Sequence, residues 1–155
     1  MNWNSERTKI LEEAFRPMSL DRTDRGANSL SKVVTPTALI IKDGDVVKTY
    51  LHANVEVDDE AAEYNIERTL ECVSGKGFYH LLVADPTTHV TVEVRNYHHE
   101  EFESLKLAEA IVLKSLAHRI LTTGLLAVRK HRYPTKIFDC ESEALKWFNE
   151  LRKTE

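Results

Sequence analysis

Apolar and polar positions alternate between two periods along this chain, and the switches between them outline its elements. From Thr37 to Val57 two β-rich runs, Ala38–Ile41 and Val46–Leu51, flank Lys42-Asp43-Gly44-Asp45. The Asp-Gly pair favours the positive φ angles of a tight turn, so this stretch predicts an antiparallel hairpin. Asp58 or Asp59 then caps a helix reaching about Val73, with Ala62, Ile66, Leu70 and Val73 at helical spacing and Gly75 as its stop. Phe78–Ala84 is a short, nearly continuous apolar run between Gly77 and Asp85-Pro86. Such a run predicts an interior strand covered on both faces, here the centre of a sheet.

The period of 3.6 returns after Ser104. Leu107, Ala110, Ile111, Lys114, Ala117, Ile120 and Leu121 describe one stripe, which predicts a long helix from Ser104 to about Val128, ended or kinked at Gly124. Tyr133-Pro134-Thr135-Lys136 then sets an extended approach to the short strand Ile137-Phe138. Asp139 is placed to cap a terminal helix whose Ala144, Leu145 and Phe148 share a face. Val90–Val94 reads two ways. Its β-branched alternation fits a strand, whereas Thr91 followed by Glu93 and Arg95 fits a capped helix start.

Upstream, residues 5–15 form an amphipathic helix candidate with Ile10, Leu11, Ala14 and Phe15 on one side, stopped by Pro17. Residues 19–31 are polar and without period, and read as a linker. This divides the chain into an N-terminal helix and linker, 1–32, and a compact domain, 33–155. Hairpin, helix, buried strand, long helix, short strand and terminal helix together imply an α/β fold: a small mixed β-sheet packed with helices, its hairpin antiparallel and its later strands parallel.

Bulk composition narrows the function classes. A chain of 155 residues with 42% hydrophobic and 30% charged content suits one soluble domain. A net charge of −4 disfavours a general nucleic-acid or anionic-membrane binder. The first residues have no apolar signal core and no run approaches a membrane span, so the expected location is the cytosol. Cys72 and Cys140 form neither a metal cluster nor a disulfide framework and are expected reduced.

With the elements placed, the stretch from Leu81 to Leu151 resembles the bacterial STAS-like domains, which include the SpoIIAA-type anti-sigma-factor antagonists. The residues carrying the resemblance are Leu82-Val83-Ala84-Asp85, Thr91-Val92-Glu93-Val94-Arg95, Ala108 to Arg119, Pro134 to Phe138 and Ala144 to Phe148. It implies a domain from about Ala38 to the C-terminus, a short helix within Thr91–His99 and a partner-binding role without catalysis. In the antagonists that act as switches, a phosphorylatable serine follows the central strand in an Asp-Ser-Ser-Gly type motif. Here Asp85 is followed by Pro86-Thr87-Thr88-His89, so Thr87 and Thr88 are the nearest hydroxyls for modification and the motif itself is missing.

Candidate chemistry is sparse. His98-His99-Glu100-Glu101, with His89 upstream, is the densest set of metal-ligand types. Adjacent helical histidines diverge by roughly 100°, however, and no i, i+4 pair is present, so a solvated face is the expectation and no metal is assigned. Arg129, Lys130, Arg132 and Lys136 form a basic patch suited to an anion or an acidic partner surface. Residues 56–71 hold seven acids against one base, Arg68. Two solvated faces explain this asymmetry most simply, with electrostatic pairing between protomers or with a partner as the alternative. Cys140 lies among acids that oppose a thiolate, and Cys72 lies beside an apolar stripe. No G-x-S-x-G, Walker or G-x-G-x-x-G segment occurs, and five glycines leave little for a phosphate-cradling loop.

The expectation is therefore a non-enzymatic domain without cofactor that binds a protein partner or a second copy of itself as a homodimer, with no nucleic-acid or membrane partner. The alternative is a small-molecule or lipid carrier whose cavity lies under the helix of residues 104–128, where Leu125 and Leu126 add apolar lining.

Overall fold

The computed structural model describes residues 30–95, 97–120 and 132–154. Within them a six-stranded sheet runs in the order β1-β2-β3-β5-β7-β8. Its strands are β1 (Leu30–Val34), β2 (Ala38–Asp43), β3 (Val46–Leu51), β5 (Phe78–Ala84), β7 (Lys106–Leu113) and β8 (Thr135–Phe138). The first three pair antiparallel, and every later neighbour pairs parallel. Short strands β4 (Glu56–Val57) and β6 (His89–Val90) pair separately. The helices are α1 (Asp59–Val73), α2 (Val92–Arg95), α3 (Glu100–Leu105) and the terminal α4 (Glu141–Lys153), with a further helical stretch at 116–120.

The hairpin and α1 follow local chemistry. Gly44 adopts φ 61° in the β2–β3 turn, which an L side chain would resist. Asp58 caps α1 by accepting the Ala61 N–H at 2.8 Å. Ser74, left-handed at φ 50°, closes the other end before Gly75 at φ 77°. The inward face of α1 is rotated from the apolar stripe: it buries Asn65, Thr69 and Val73. Polar groups can go inward because they are paired. The Thr35 hydroxyl lies 2.6 Å from Asn65 Oδ1, and Asn65 Nδ2 donates to Thr37 Oγ1 at 2.8 Å, so the β1–β2 corner is tied to the helix.

Strand β5 occupies the middle of the sheet as expected, with Leu81 fully buried. One face of the sheet packs Tyr79, Leu81, Ala108, Ala110 and Val112 against Ala144 and Phe148 of α4. The opposite face packs Ala38, Ile40, Val47 and Phe78 against Val73 of α1 and Phe102 of α3. Arg152 fastens the end of α4 to the hairpin turn, reaching both oxygens of Asp45 at 2.6 and 3.0 Å and covering the Tyr79 ring at 4.8 Å.

Three elements depart from the sequence expectation, and a fourth that the sequence left open is resolved. The long helix from Ser104 to Val128 is not formed: residues 106–113 are strand β7. Leu, Ala, Glu and Lys favour helix locally, but the slot between β5 and β8 demands an extended chain, and pairing on both edges outweighs propensity worth a few tenths of a kcal/mol per residue. The small side chains are explained by packing, since Ala108 and Ala110 lie under α4 with no exposed surface. The helix starts only at residue 116, where Ser115 accepts the His118 N–H. Second, strand β1 begins at Leu30, inside the stretch read as linker and across the division at residue 33. Third, Cys140 and not Asp139 holds the N-cap position of α4, while Asp139 pairs with Arg119 at 3.6 Å. Fourth, Val90–Val94 takes both readings: Val90 ends β6 and Val92 opens α2, the short helix implied by the resemblance. The helix candidate at 5–15 lies outside the described residues.

Replacing Asn65 by Ala removes the donor to the buried Thr37 hydroxyl and the shortest hydrogen bond of the Thr35 hydroxyl, which keeps its bonds to the Ala38 backbone, so urea unfolding should show a loss of about 1–2 kcal/mol with an unchanged slope. Phe148→Ala, which opens the core between α4 and Tyr79, should cost about 3–5 kcal/mol in the same assay.

Candidate functional site

Among the described residues two places concentrate chemistry: a charged cluster inside the sheet and a groove at its β8 margin. The cluster starts from an irregularity in β7. Phe78 is level with Lys106 but Tyr79 is level with Ala108, so Leu107 is one residue extra, a β-bulge. In a regular strand residues three apart face opposite sides; the bulge brings Lys106 and Glu109 to the same side, that of Phe78 and His80. It also turns the Leu107 side chain beside Gly77, where an added Cβ would meet Leu107 Cδ2 at 3.2 Å.

His80 then bridges three strands. Its Nδ1 lies 2.9 Å from Glu109 Oε1 on β7, and its Nε2 lies 2.9 Å from Thr49 Oγ1 on β3. Lys106 Nζ reaches Glu109 Oε2 at 3.3 Å and sits 4.4 Å above the rings of both Phe102 and Tyr133. Lys106 and Glu109 side chains are 5% and 13% exposed, so this is a buried ion pair. Burial drives the His80 pKa below its ordinary 6.5 and outweighs the opposing pull of Glu109. Burial also pushes the Glu109 carboxyl up, but Lys106 beside it and the hydrogen bond from His80 prevail and hold it well below the usual carboxylate range. An ionised Glu109 only accepts hydrogen bonds. Nδ1 therefore carries the imidazole proton and donates it to Glu109, leaving Nε2 to accept from the Thr49 hydroxyl.

Hydroxyl, imidazole and carboxylate in this order resemble a nucleophile, its base and an orienting group. Here Thr49 and His80 are each 5% exposed, which shuts the hydroxyl away from a substrate, and Lys106 neutralises the carboxylate. The arrangement suits a lock joining β3, β5 and β7. Sequence reading missed it because Thr49, His80, Lys106 and Glu109 are scattered over sixty residues. The available signal was a histidine in the middle of an apolar strand.

The groove lies at the other end of the sequence. Among the described residues strand β8 ends the sheet, and between it and α4 a groove of about 190 Å³ is lined by Lys136, Phe138, Glu143, Lys146, Trp147 and Glu150. Two of these, Phe138 and Trp147, have ring centroids 5.6 Å apart, and Lys136 Nζ lies 5.4 Å from the Phe138 ring centroid.

Of the basic patch, Lys136 belongs to this groove, whereas exposed Arg132 pairs with Glu100 at 2.9 Å. Arg129 and Lys130 lie outside the described residues. Thr87 is exposed in the turn after β5, donating to Asp85 Oδ1 at 2.6 Å and accepting the Asn54 N–H at 2.8 Å. The Thr87 hydroxyl, and the Thr87 N–H that donates to the same oxygen at 2.9 Å, hold the Asp85 carboxyl below its usual range. Thr88 is buried, its hydroxyl donating to the His52 carbonyl at 2.7 Å. The histidine-rich stretch disperses: His98 pairs with Glu103 at 2.8 Å, and His99 caps α3 by accepting the Phe102 N–H. Among the described residues no three metal-ligating side chains converge. Cys140 Sγ lies 3.4 Å from Ser142 Oγ, and burial raises the Cys72 thiol pKa.

Because the folded-state pKa of His80 lies below 6.5, the unfolded chain binds more protons in that range. Stability should be complete above pH 6.5 and fall as pH drops through and below it, with Glu109 adding a second loss below its ordinary 4.5. Urea midpoints from pH 8 to pH 4 check this, and His80→Gln should flatten the upper window. At pH 7.5 Lys106→Met leaves Glu109 charged and unpaired inside the sheet and should cost about 3–5 kcal/mol. Lys106→Met with Glu109→Gln should recover most of it.

Among the described residues no helix is long and apolar enough to cross a membrane. The chain is similar to a solved structure, an uncharacterised protein from the DUF3478 family with a SpoIIAA-like fold from Shewanella loihica PV-4. The two share 11% identity over 77% of this chain and 91% of that one, with a TM-score of 0.41. Strand order and register, independent of that overlap, define the present fold as a mixed sheet with an antiparallel hairpin and parallel later strands. No curated protein matches. A family model described as "Domain of unknown function (DUF7793)" matches residues 39–152, and the chain belongs to that family.

Proposed function

We propose that this domain is a non-enzymatic binding module that receives an extended segment of a protein partner, or of a second copy of the chain, along β8 and its groove. The observation that carries this reading is the margin itself. Among the described residues strand β8 ends the sheet, so its outer edge would offer main-chain groups for strand addition, while Phe138 and Trp147 would contact an incoming side chain and Lys136, Glu143, Lys146 and Glu150 offer both signs of charge beside it.

Size favours a side chain over a whole ligand. The groove, at about 190 Å³, is smaller than the roughly 300–1,000 Å³ typical of small-molecule sites. The carrier alternative placed its cavity under a helix spanning 104–128, and strand β7 occupies the first part of that span. The shielded Thr49 and the neutralised Glu109 likewise support a role without catalysis.

A photo-crosslinking side chain placed at Lys136 in the full chain, expressed in its own cell type, should yield a discrete protein adduct or a crosslinked dimer. Trp147→Ala, with its circular dichroism unchanged, should reduce that product at least tenfold. An undiminished adduct in Trp147→Ala, or native mass spectrometry showing a co-purified small molecule and no protein adduct, would overturn the reading.

A further inference from the structure

The groove beside β8 carries two lysines and two glutamates, so it has no net charge of its own and any preference must come from position. Four of its residues lie on α4. At roughly 100° per residue, Trp147 borders the side buried by Ala144 and Phe148, Glu143 and Glu150 come next, and Lys146 is outermost, about 100° from Trp147. The half-buried indole is thus edged by two exposed carboxylates, one a turn before it and one a turn after. Among the described residues neither carboxylate pairs with a cationic side chain, although Lys146 is within a turn of both. Across the groove the Lys136 ammonium lies by the Phe138 ring instead. An aromatic face bordered by unpaired carboxylates is the composition that holds a cation.

We propose that the segment received beside β8 belongs to a different protein and presents an arginine, whose guanidinium lies on the Trp147 ring and donates to Glu143 and Glu150. This rests on the binding role proposed for the groove and names the chemistry of its partner. Arginine suits the position better than lysine, because a planar fork of five donors stacks and hydrogen-bonds at once, whereas an ammonium is compact and strongly hydrated. Lys146, outermost of the four, turns its charge to water on a flexible stem and leaves the ring to the guest. The source follows from the arginines of this chain. In a second copy Arg68, Arg119, Arg132 and Arg152 already hold carboxylates, at 2.9, 3.6, 2.9 and 2.6 Å, so each would have to break one ion pair to make another. The net charge of −4 also draws a basic segment toward the chain.

The test uses the full-length chain labelled with nitrogen-15, with Trp147→Phe to assign the Trp147 indole N–H resonance. Two blocked tripeptides are titrated, glycine-arginine-glycine and glycine-citrulline-glycine, which are alike in shape and differ in charge. At equal concentration the arginine peptide should move that resonance about threefold further than the citrulline peptide. Glu143→Gln/Glu150→Gln should abolish the excess, and Lys146→Ser should leave it intact. Equal shifts from the two peptides, or an excess that survives the double glutamine variant, would sink the inference. The crosslinking side chain at Lys136 separates this outcome from the groove reading. A captured peptide from another protein should contain an arginine beside the attachment point. An adduct undiminished in Glu143→Gln/Glu150→Gln, or one formed only with a second copy, would defeat the arginine while leaving the groove its binding role.

Discussion

Parallel strands need long crossovers, and their mutual register must be held by something other than a turn. In this sheet the holding interaction is the hydrogen-bonded line Thr49–His80–Glu109 with Lys106, which joins β3, β5 and β7 at one level. A buried carboxylate and ammonium are costly to desolvate, so each must find its partner in one arrangement only. A slip of one residue in β5 would turn His80 to the α4 face and leave Glu109 and Thr49 without it. The cluster therefore selects a single alignment of the strands as much as it adds stability.

That selection depends on the bulge at Leu107. Without the extra residue, Lys106 and Glu109 would face opposite sides of the sheet and the ion pair could not form. Gly77 leaves space for the displaced Leu107, and Phe102 and Tyr133 shelter the lysine from either side. Glycine, bulge, histidine and ion pair thus form one dependent set, whose members come from β7 and from the chain entering and forming β5.

Outside this interior, helix α4 joins the core to the groove at the β8 margin. Its inner residues Ala144 and Phe148 build the core, its outer residues Lys146 and Trp147 line the groove beside β8, and Arg152 anchors it to the hairpin turn at Asp45. A rigidly held helix beside β8 presents a preformed surface, which would lower the ordering cost of the extended segment proposed to bind there.

Elements that depend on their own residues were legible from the sequence: the Asp-Gly hairpin, an aspartate cap of α1 at 58 or 59, the apolar run of β5 and, its cap residue apart, the Pro134-to-Phe148 strand and helix all use local rules of turn, cap and period. The resemblance also indicated the short helix at Val92–Arg95 against a β-branched sequence. Tertiary structure alone decided the rest. Lys106–Leu113 carries helix-favouring residues yet is extended, because pairing with β5 and β8 lies outside any local window. The inward turn of Asn65 required Thr35 and Thr37, some thirty residues away, and the lock required four side chains brought together by a one-residue bulge. Propensity and period act between neighbours in sequence, whereas a buried polar group takes its place only where distant chain supplies its partner.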